Sequence, residues 1–220
     1  MTGKRKIPGS GIYCITGEEF SRGRTNPEVV REMIAAEIKI IQYREKEKLP
    51  LHKYRECLEI RRMTGDAGTI FIVNDDVALA LAVKADGVHI GQEDLPIEKV
   101  RELVGDEMII GLSTHTPTQA REAAAKGADY IGVGPLYRTF TKKDVCEPVG
   151  LEYLDYVVSN CSLPFVAIGG IKESNIGEVA GRGARLICAV TEILEADNIG
   201  QKIDALRGKI MYVAGRNKVA

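Results

Sequence analysis

The sequence predicts an α/β fold, a single (β/α)₈ TIM barrel over residues 1–220, with residues 1–10 as a loose N-terminal segment. Three observations predict it. Eight short runs rich in Val and Ile alternate with amphipathic stretches from end to end. Polar side chains collect at the carboxyl end of one run after another, where a barrel carries its site. The 220 residues suffice for one such barrel and leave little over. The structural rival is an open doubly wound sheet. Its phosphate signature, G-x-G-x-x-G after the first strand, is absent, and Gly132-Val133-Gly134 lacks the third glycine.

The expected strands are 12–15, 40–44, 70–74, 87–90, 108–112, 130–134, 165–168 and 185–190. They are short and apolar, as strands buried on both faces must be. Helices fall between them. Asn26-Pro27 reads as an N-cap followed by proline at the first helical position. Thr116-Pro117-Thr118-Gln119 reads as a capping box. A helix is expected to begin near Val77. Gly65, Gly105, Gly127 and Gly183 stand where helices should stop, and the last helix should run over 199–214. No Pro/Ser-rich linker interrupts the pattern, so one domain is expected.

Composition excludes several classes. Hydrophobic residues make up 45% and charged residues 28%, enough for an ordinary core. Thirty basic and 31 acidic residues leave a net charge of -1, so nothing attracts nucleic acid or acidic membranes in bulk. Any anion site must be local. Cys14, Cys57, Cys146, Cys161 and Cys188 are odd in number and form no C-x-x-C pair. Reduced thiols in the cytoplasm fit better than disulfides or structural zinc. No apolar stretch reaches the length of a membrane span. The basic N-terminus leads into no apolar region of a signal peptide. The expectation is a cytoplasmic protein without nucleic-acid or membrane partners, open to homo-oligomerisation.

Strand ends carry the chemistry. The second strand ends in Gln42-Tyr43-Arg44-Glu45-Lys46, and period two sends Gln42, Arg44 and Lys46 one way and Tyr43 and Glu45 the other. An amide, a guanidinium and an ammonium on one face suit a phosphate or diphosphate. The bland alternative for Arg44 is a salt bridge to a neighbouring acid. Asp75 and Asp94 end adjacent strands and can meet over the mouth. Paired carboxylates suit Mg²⁺, which takes one or two of them and completes its shell with substrate oxygens and water. The alternative is that each caps a helix.

Ser113 and His115 follow the fifth strand. Gly111-Leu112-Ser113-Thr114-His115 is not a G-x-S-x-G elbow, so no hydrolase nucleophile is expected. The loop over 136–148, with Thr139, Thr141 and Lys142, is either a solvated connection or a flap that supplies a charge. Gly169-Gly170 allows close backbone approach to a ligand. With the loop after the eighth strand it forms a second anion region. Two anion regions imply two phosphorylated small molecules, or one with phosphates at both ends.

The ordered set QYREK, VNDD, DGVHIGQED, GLSTH, GADYIGVGPLYRTFTKK and AIGGI resembles the thiamine phosphate synthase family from Tyr13 to Thr191. The resemblance implies a transferase that joins a pyrimidine diphosphate to a thiazole phosphate with one Mg²⁺. It implies that the run Gln42, Tyr43, Arg44, Glu45 and Lys46, with Asn74, Ser113 and Lys142, binds the pyrimidine diphosphate. Arg44, Ser113 and Lys142 would be catalytic, and Asp75 and Asp94 would hold the metal. Thr139, Thr141, Gly170, Val190 and Thr191 would bind the thiazole phosphate. The family often has serine where Thr191 stands, so the hydroxyl is kept. Two relatives in fold are rivals: a thiazole tautomerase using His115, and a non-catalytic thiazole phosphate sensor. Neither needs the paired aspartates.

Overall fold

The computed structural model describes residues 4–141 and 146–216. Its strands are β1 (Gly11–Ile12), β2 (Cys14–Ile15), β3 (Ile40–Tyr43), β4 (Ile70–Asn74), β5 (Gly87–Ile90), β6 (Ile109–Thr114), β7 (Tyr130–Val133), β8 (Phe165–Ile168) and β9 (Leu186–Cys188). The helices are α1 (Asn26–Ala35), α2 (Pro50–Asp66), α3 (Val77–Ala82), α4 (Ile97–Val104), α5 (Pro117–Ala123), α6 (Gly150–Asn160), α7 (Ile176–Gly181), α8 (Val190–Leu194) and α9 (Ile199–Arg216). The strands are parallel, in the order β1-β9-β8-β7-β6-β5-β4-β3-β2.

Nine strands appear where eight were expected because the first changes partner in its middle. Gly11 and Ile12 pair with Leu186 and Ile187 of β9, while Cys14 and Ile15 pair with Ile41 and Gln42 of β3. Tyr13 lies between and still donates its N–H to the Ile187 carbonyl at 2.9 Å. One continuous stretch therefore joins both edges of the sheet and shapes it into the expected barrel.

Period two sorts the core into two clusters. Tyr13, Ile15, Ile40, Ile70, Ile72, Ile109, Tyr130, Val166, Leu186 and Cys188 pack together inside the barrel. The alternate positions, such as Ile41, Phe71, Val73, Val88 and Ile110, pack outward against the helices. A fully buried isoleucine contributes on the order of 2 kcal/mol, so both layers hold the register firmly. On α9, Ile199, Ile203 and Leu206 recur at helical spacing and are fully buried.

Several ends differ from expectation. The N-cap of α1 is Thr25, not Asn26: the Thr25 side chain and the Glu28 carboxylate satisfy each other's backbone N–H groups. At α5, Thr116 caps Gln119 N, but the Gln119 side chain accepts from His115 N at 2.7 Å instead of closing the box on Thr116. Gly105 is left-handed at the end of α4, whereas Gly65 lies within α2 and Gly68 makes the turn after it. Ser113 and Thr114 remain in β6, paired with Gly132 and Val133. Val190 belongs to α8, not to the last strand.

The start of the described chain is tied down. Lys4 pairs with Asp129, and Arg5 reaches Asp86 and the carbonyls of Thr69 and Gly68. Asp86 also accepts from Arg61 and from the buried Phe71 N–H at 2.8 Å. Among the described residues, no helix is long and apolar enough to cross a membrane.

Replacing Asp86 by alanine removes three donors' acceptor at once and orphans a buried N–H. Asp86→Ala should lower the unfolding free energy by roughly 2–3 kcal/mol. Urea titration checks this, and a change under about 0.5 kcal/mol would contradict the assigned role.

Candidate functional site

The carboxyl ends of the parallel strands share one mouth, and β3 supplies its basic side. Arg44 is fixed through its backbone: its N–H donates to the Thr16 hydroxyl at 2.9 Å, just past β2. Among the described residues its guanidinium pairs with no carboxylate, and its Nε is buried without a hydrogen-bond partner. The salt-bridge alternative thus finds no partner among the described residues. An unsatisfied buried donor at a barrel mouth is what an absent anionic ligand would leave. Lys46 pairs with Asp75.

Tyr43 and Glu45, assigned above with their neighbours to substrate, face away from the mouth. The Tyr43 hydroxyl donates to Glu56 of α2 at 2.7 Å, and Glu45 accepts from the Asn26 side chain of α1 at 3.2 Å. Strand alternation forces this, because their neighbours Gln42 and Arg44 take the other face. Burial, then Glu56, pushes the Tyr43 phenol up. The outward cluster also includes Lys48, which pairs with Glu18 and Glu56.

Neither aspartate caps a helix. Asp76 caps α3, accepting from Leu79 N at 2.8 Å, and the cap position of α4 is Pro96. Asp75 sits at φ 60, a left-handed conformation that aspartate tolerates, and this turns its carboxylate toward Lys46. Asp94 folds back onto Gly91 N at 2.7 Å. Burial first, and then the Asp75 carboxylate close enough to share a hydrogen bond, push the Asp94 carboxyl up, against the pull of the Gly91 N–H. Two carboxylates converging beside an ammonium form an oxygen-donor pair, which fits Mg²⁺, a cation that completes its shell with ligand oxygens and water. Among the described residues no group of three or more His, Cys, Asp or Glu side chains gathers into an all-protein metal cage.

Inside the barrel, directly below the mouth, lies a feature that strand-end reading missed. Gln42 Nε2 donates to Tyr13 Oη at 2.9 Å, Tyr13 Oη meets Tyr130 Oη at 2.8 Å, Tyr130 Oη meets His89 Nδ1 at 3.0 Å, and His89 Nε2 meets Ser113 Oγ at 3.0 Å. Gln42 and Ser113, both predicted from sequence, are thus joined through three residues that were not. Thr16 was missed as well. The available signal was period two, which puts His89 on the inner face beside Asn74 and Gly111.

The second anion region forms around Gly169 and Gly170, at φ 100 and 63. Their small size lets the neighbouring loop lie directly against them. A Cβ on Gly169 would meet Pro135 at 2.3 Å, and one on Gly170 would meet the Arg138 carbonyl at 2.5 Å. The start of the 136–148 loop lies along β8, with Leu136 N on Ile168 O and Tyr137 N on Gly169 O, each at 3.0 Å. This carries Thr139 and Thr141 forward, half-buried, with their hydroxyls 3.0 Å apart. Val190 and Thr191 open α8 and are half-buried. Lys142 lies outside the described residues. His115 donates from Nδ1 to the Gly134 carbonyl at 2.6 Å.

The sequence model of the family described as "Thiamine monophosphate synthase" matches residues 12–193. A protein of Pelotomaculum thermopropionicum named thiamine-phosphate synthase is 63% identical over 213 residues, 96% of this chain and 98% of the relative. One of the same name from Lawsonia intracellularis is 54% identical over 209 residues, 93% of this chain and 96% of that one. A solved thiamine phosphate pyrophosphorylase from Pyrococcus furiosus superposes with a TM-score of 0.84 at 34% identity, covering 93% of this chain and 97% of that one.

The outward placement of Tyr43 has a measurable consequence. Tyr43→Phe should cost about 1–2 kcal/mol of stability through the lost Glu56 bond, while affinity for inorganic pyrophosphate, used as the anionic probe, stays within about twofold. A tenfold loss of affinity with normal stability would return Tyr43 to the site.

Proposed function

The chain belongs to the thiamine monophosphate synthase family and is a transferase of thiamine biosynthesis, and on that premise we propose its substrates and the roles of its residues. It joins 4-amino-2-methyl-5-(diphosphooxymethyl)pyrimidine to 4-methyl-5-(2-phosphoethyl)thiazole, or the 2-carboxy form, in the cytoplasm, releasing pyrophosphate. The observation that carries this reading is the convergence of Asp75 and Asp94 beside Lys46, next to the unsatisfied Arg44.

Gln42, Arg44, Lys46, Asn74 and Ser113 take the pyrimidine diphosphate. Thr139, Thr141, Gly170, Val190 and Thr191 take the thiazole phosphate. Asp75 and Asp94 would hold one Mg²⁺, which when bound neutralises charge on the diphosphate oxygens. The bond from the pyrimidine methylene to diphosphate oxygen breaks, and its electron pair leaves with the diphosphate. The ring amino group stabilises the resulting cation. Arg44 and Lys46 meet the growing negative charge with fixed donors, which favours departure over return. The thiazole nitrogen, held by its own phosphate, then supplies its lone pair to the methylene carbon. With the non-carboxylated thiazole no proton moves; the 2-carboxy form also loses CO₂ and takes up a proton at C2 from solvent, and in neither case is a protein nucleophile needed. Lys142 has its expected role on the same diphosphate.

A tautomerase or a thiazole phosphate sensor would have no use for the aspartate pair. His115 would be the tautomerase acid or base; its Nδ1 hydrogen is held by Gly134, which leaves Nε2 as the nitrogen for such a role.

Purified protein should release pyrophosphate only when both substrates and Mg²⁺ are present, and coupled product should appear in equal amount. Absence of that product, with thiazole isomerisation instead, would overturn the reading. Asp94→Ala should lower turnover by on the order of a hundredfold or more, with thiazole phosphate affinity within about twofold. Normal turnover in that variant would remove the metal assignment.

A further inference from the structure

The chain of hydrogen bonds inside the barrel is more than buried polar groups satisfying one another. Register explains how it forms. His89 of β5, Gly111 of β6 and Tyr130 of β7 are level across three adjacent strands. His89 and Tyr130 can touch only because the residue between them has no side chain. A Cβ on Gly111 would stand 2.2 Å from Tyr130 Cζ and 2.3 Å from His89 Nδ1. Gly132, beside Ser113, likewise leaves space next to the His89 ring, 3.4 Å from where its own Cβ would be.

Counting protons gives the chain a direction. Burial pushes the Tyr13 and Tyr130 phenols up, so each keeps its one hydrogen. Gln42 presents its amide N–H group to Tyr13, so Tyr13 accepts there, which leaves its own hydrogen for Tyr130. Tyr130 then gives its hydrogen to His89 Nδ1. A neutral imidazole that accepts at Nδ1 carries its hydrogen on Nε2, and that hydrogen points at Ser113 Oγ. Ser113, having accepted, keeps its own hydrogen to donate. Were the Gln42 amide reversed, every bond would reverse, and Ser113 would offer a ligand only lone pairs.

We propose that Tyr13, Tyr130 and His89 are positioning residues, forming with Gln42 a one-way hydrogen-bond relay that fixes the Ser113 hydroxyl as a donor toward the barrel mouth. Their assigned role is exerted through Ser113. What Ser113 donates to rests on the function proposed above: a diphosphate gaining negative charge as it leaves takes a hydrogen bond more strongly than the bound substrate does. The relay itself does not rest on that reading.

Two measurements on the full-length protein test it. The chain has three histidines, so the long-range ¹⁵N–¹H signals of His89 are identified by their loss in His89→Gln. Wild type should show the Nε2–H tautomer, and Tyr130→Phe, which removes one oxygen, should shift His89 away from it. An Nδ1–H tautomer in wild type, or an unchanged one in Tyr130→Phe, overturns the relay whether or not the protein couples the two substrates. In turnover, Tyr130→Phe should lower kcat about tenfold with KM within about twofold. Added to Ser113→Ala, it should cause no further loss, because a relay that acts only through Ser113 has nothing left to position. Losses that multiply in the double variant would assign Tyr130 a merely structural part.

Discussion

Everything at the mouth depends on how the sheet closes. A parallel sheet shut on itself delivers every strand's carboxyl end to one rim. Here the closure is made by a single stretch that pairs with β9 up to Ile12 and with β3 from Cys14 onward. Tyr13 sits at the change of partner, points inward, and starts the contact between Gln42 and Tyr130. The residue at the seam of the barrel is thus also a member of the polar layer beneath the site. A slip of one position in the register would turn Tyr13 outward and bring Cys14 in.

The barrel interior is layered. Isoleucines at 40, 70, 72 and 109 make an apolar packing around the tyrosines, and a buried polar group set in such surroundings is costly unless bonded. The Tyr13, Tyr130 and His89 groups meet that demand through each other. Arg44 Nε is, with Asn26 Oδ1, the exception among the described side chains. It lies just past the end of β3, two residues before Lys46, which pairs with Asp75. On the opposite side Gly169 and Gly170 let the loop after β7 lie directly on β8. The two halves of the site therefore have different origins: charged side chains on one side, close backbone packing on the other.

Much of this was legible in the sequence because it is periodic. Strand period located β3 to β8 and separated Arg44 from Glu45. Adjacent strand ends paired Asp75 with Asp94. Other features depend on contacts that no local pattern encodes. Tyr13, His89 and Tyr130 lie mid-strand, where aromatic side chains read as ordinary core, and their bonding spans up to 117 positions of chain. The partner change at Tyr13 leaves no local mark. Thr25 and Asn26 are both good caps, and only the Glu28 carboxylate reaching back to Thr25 decides between them. Tyr43 and Glu45 entered the site with a contiguous motif, although strand geometry had already turned them outward.

The central claim is that this mouth receives a diphosphate together with a divalent cation, held by Asp75 and Asp94 beside Arg44 and Lys46. Calorimetric titration of the wild-type protein with pyrophosphate, with and without Mg²⁺, tests it most directly. Binding should tighten by about tenfold or more with the metal, equivalent to about 1.4 kcal/mol. Equal affinity in the two titrations would contradict it.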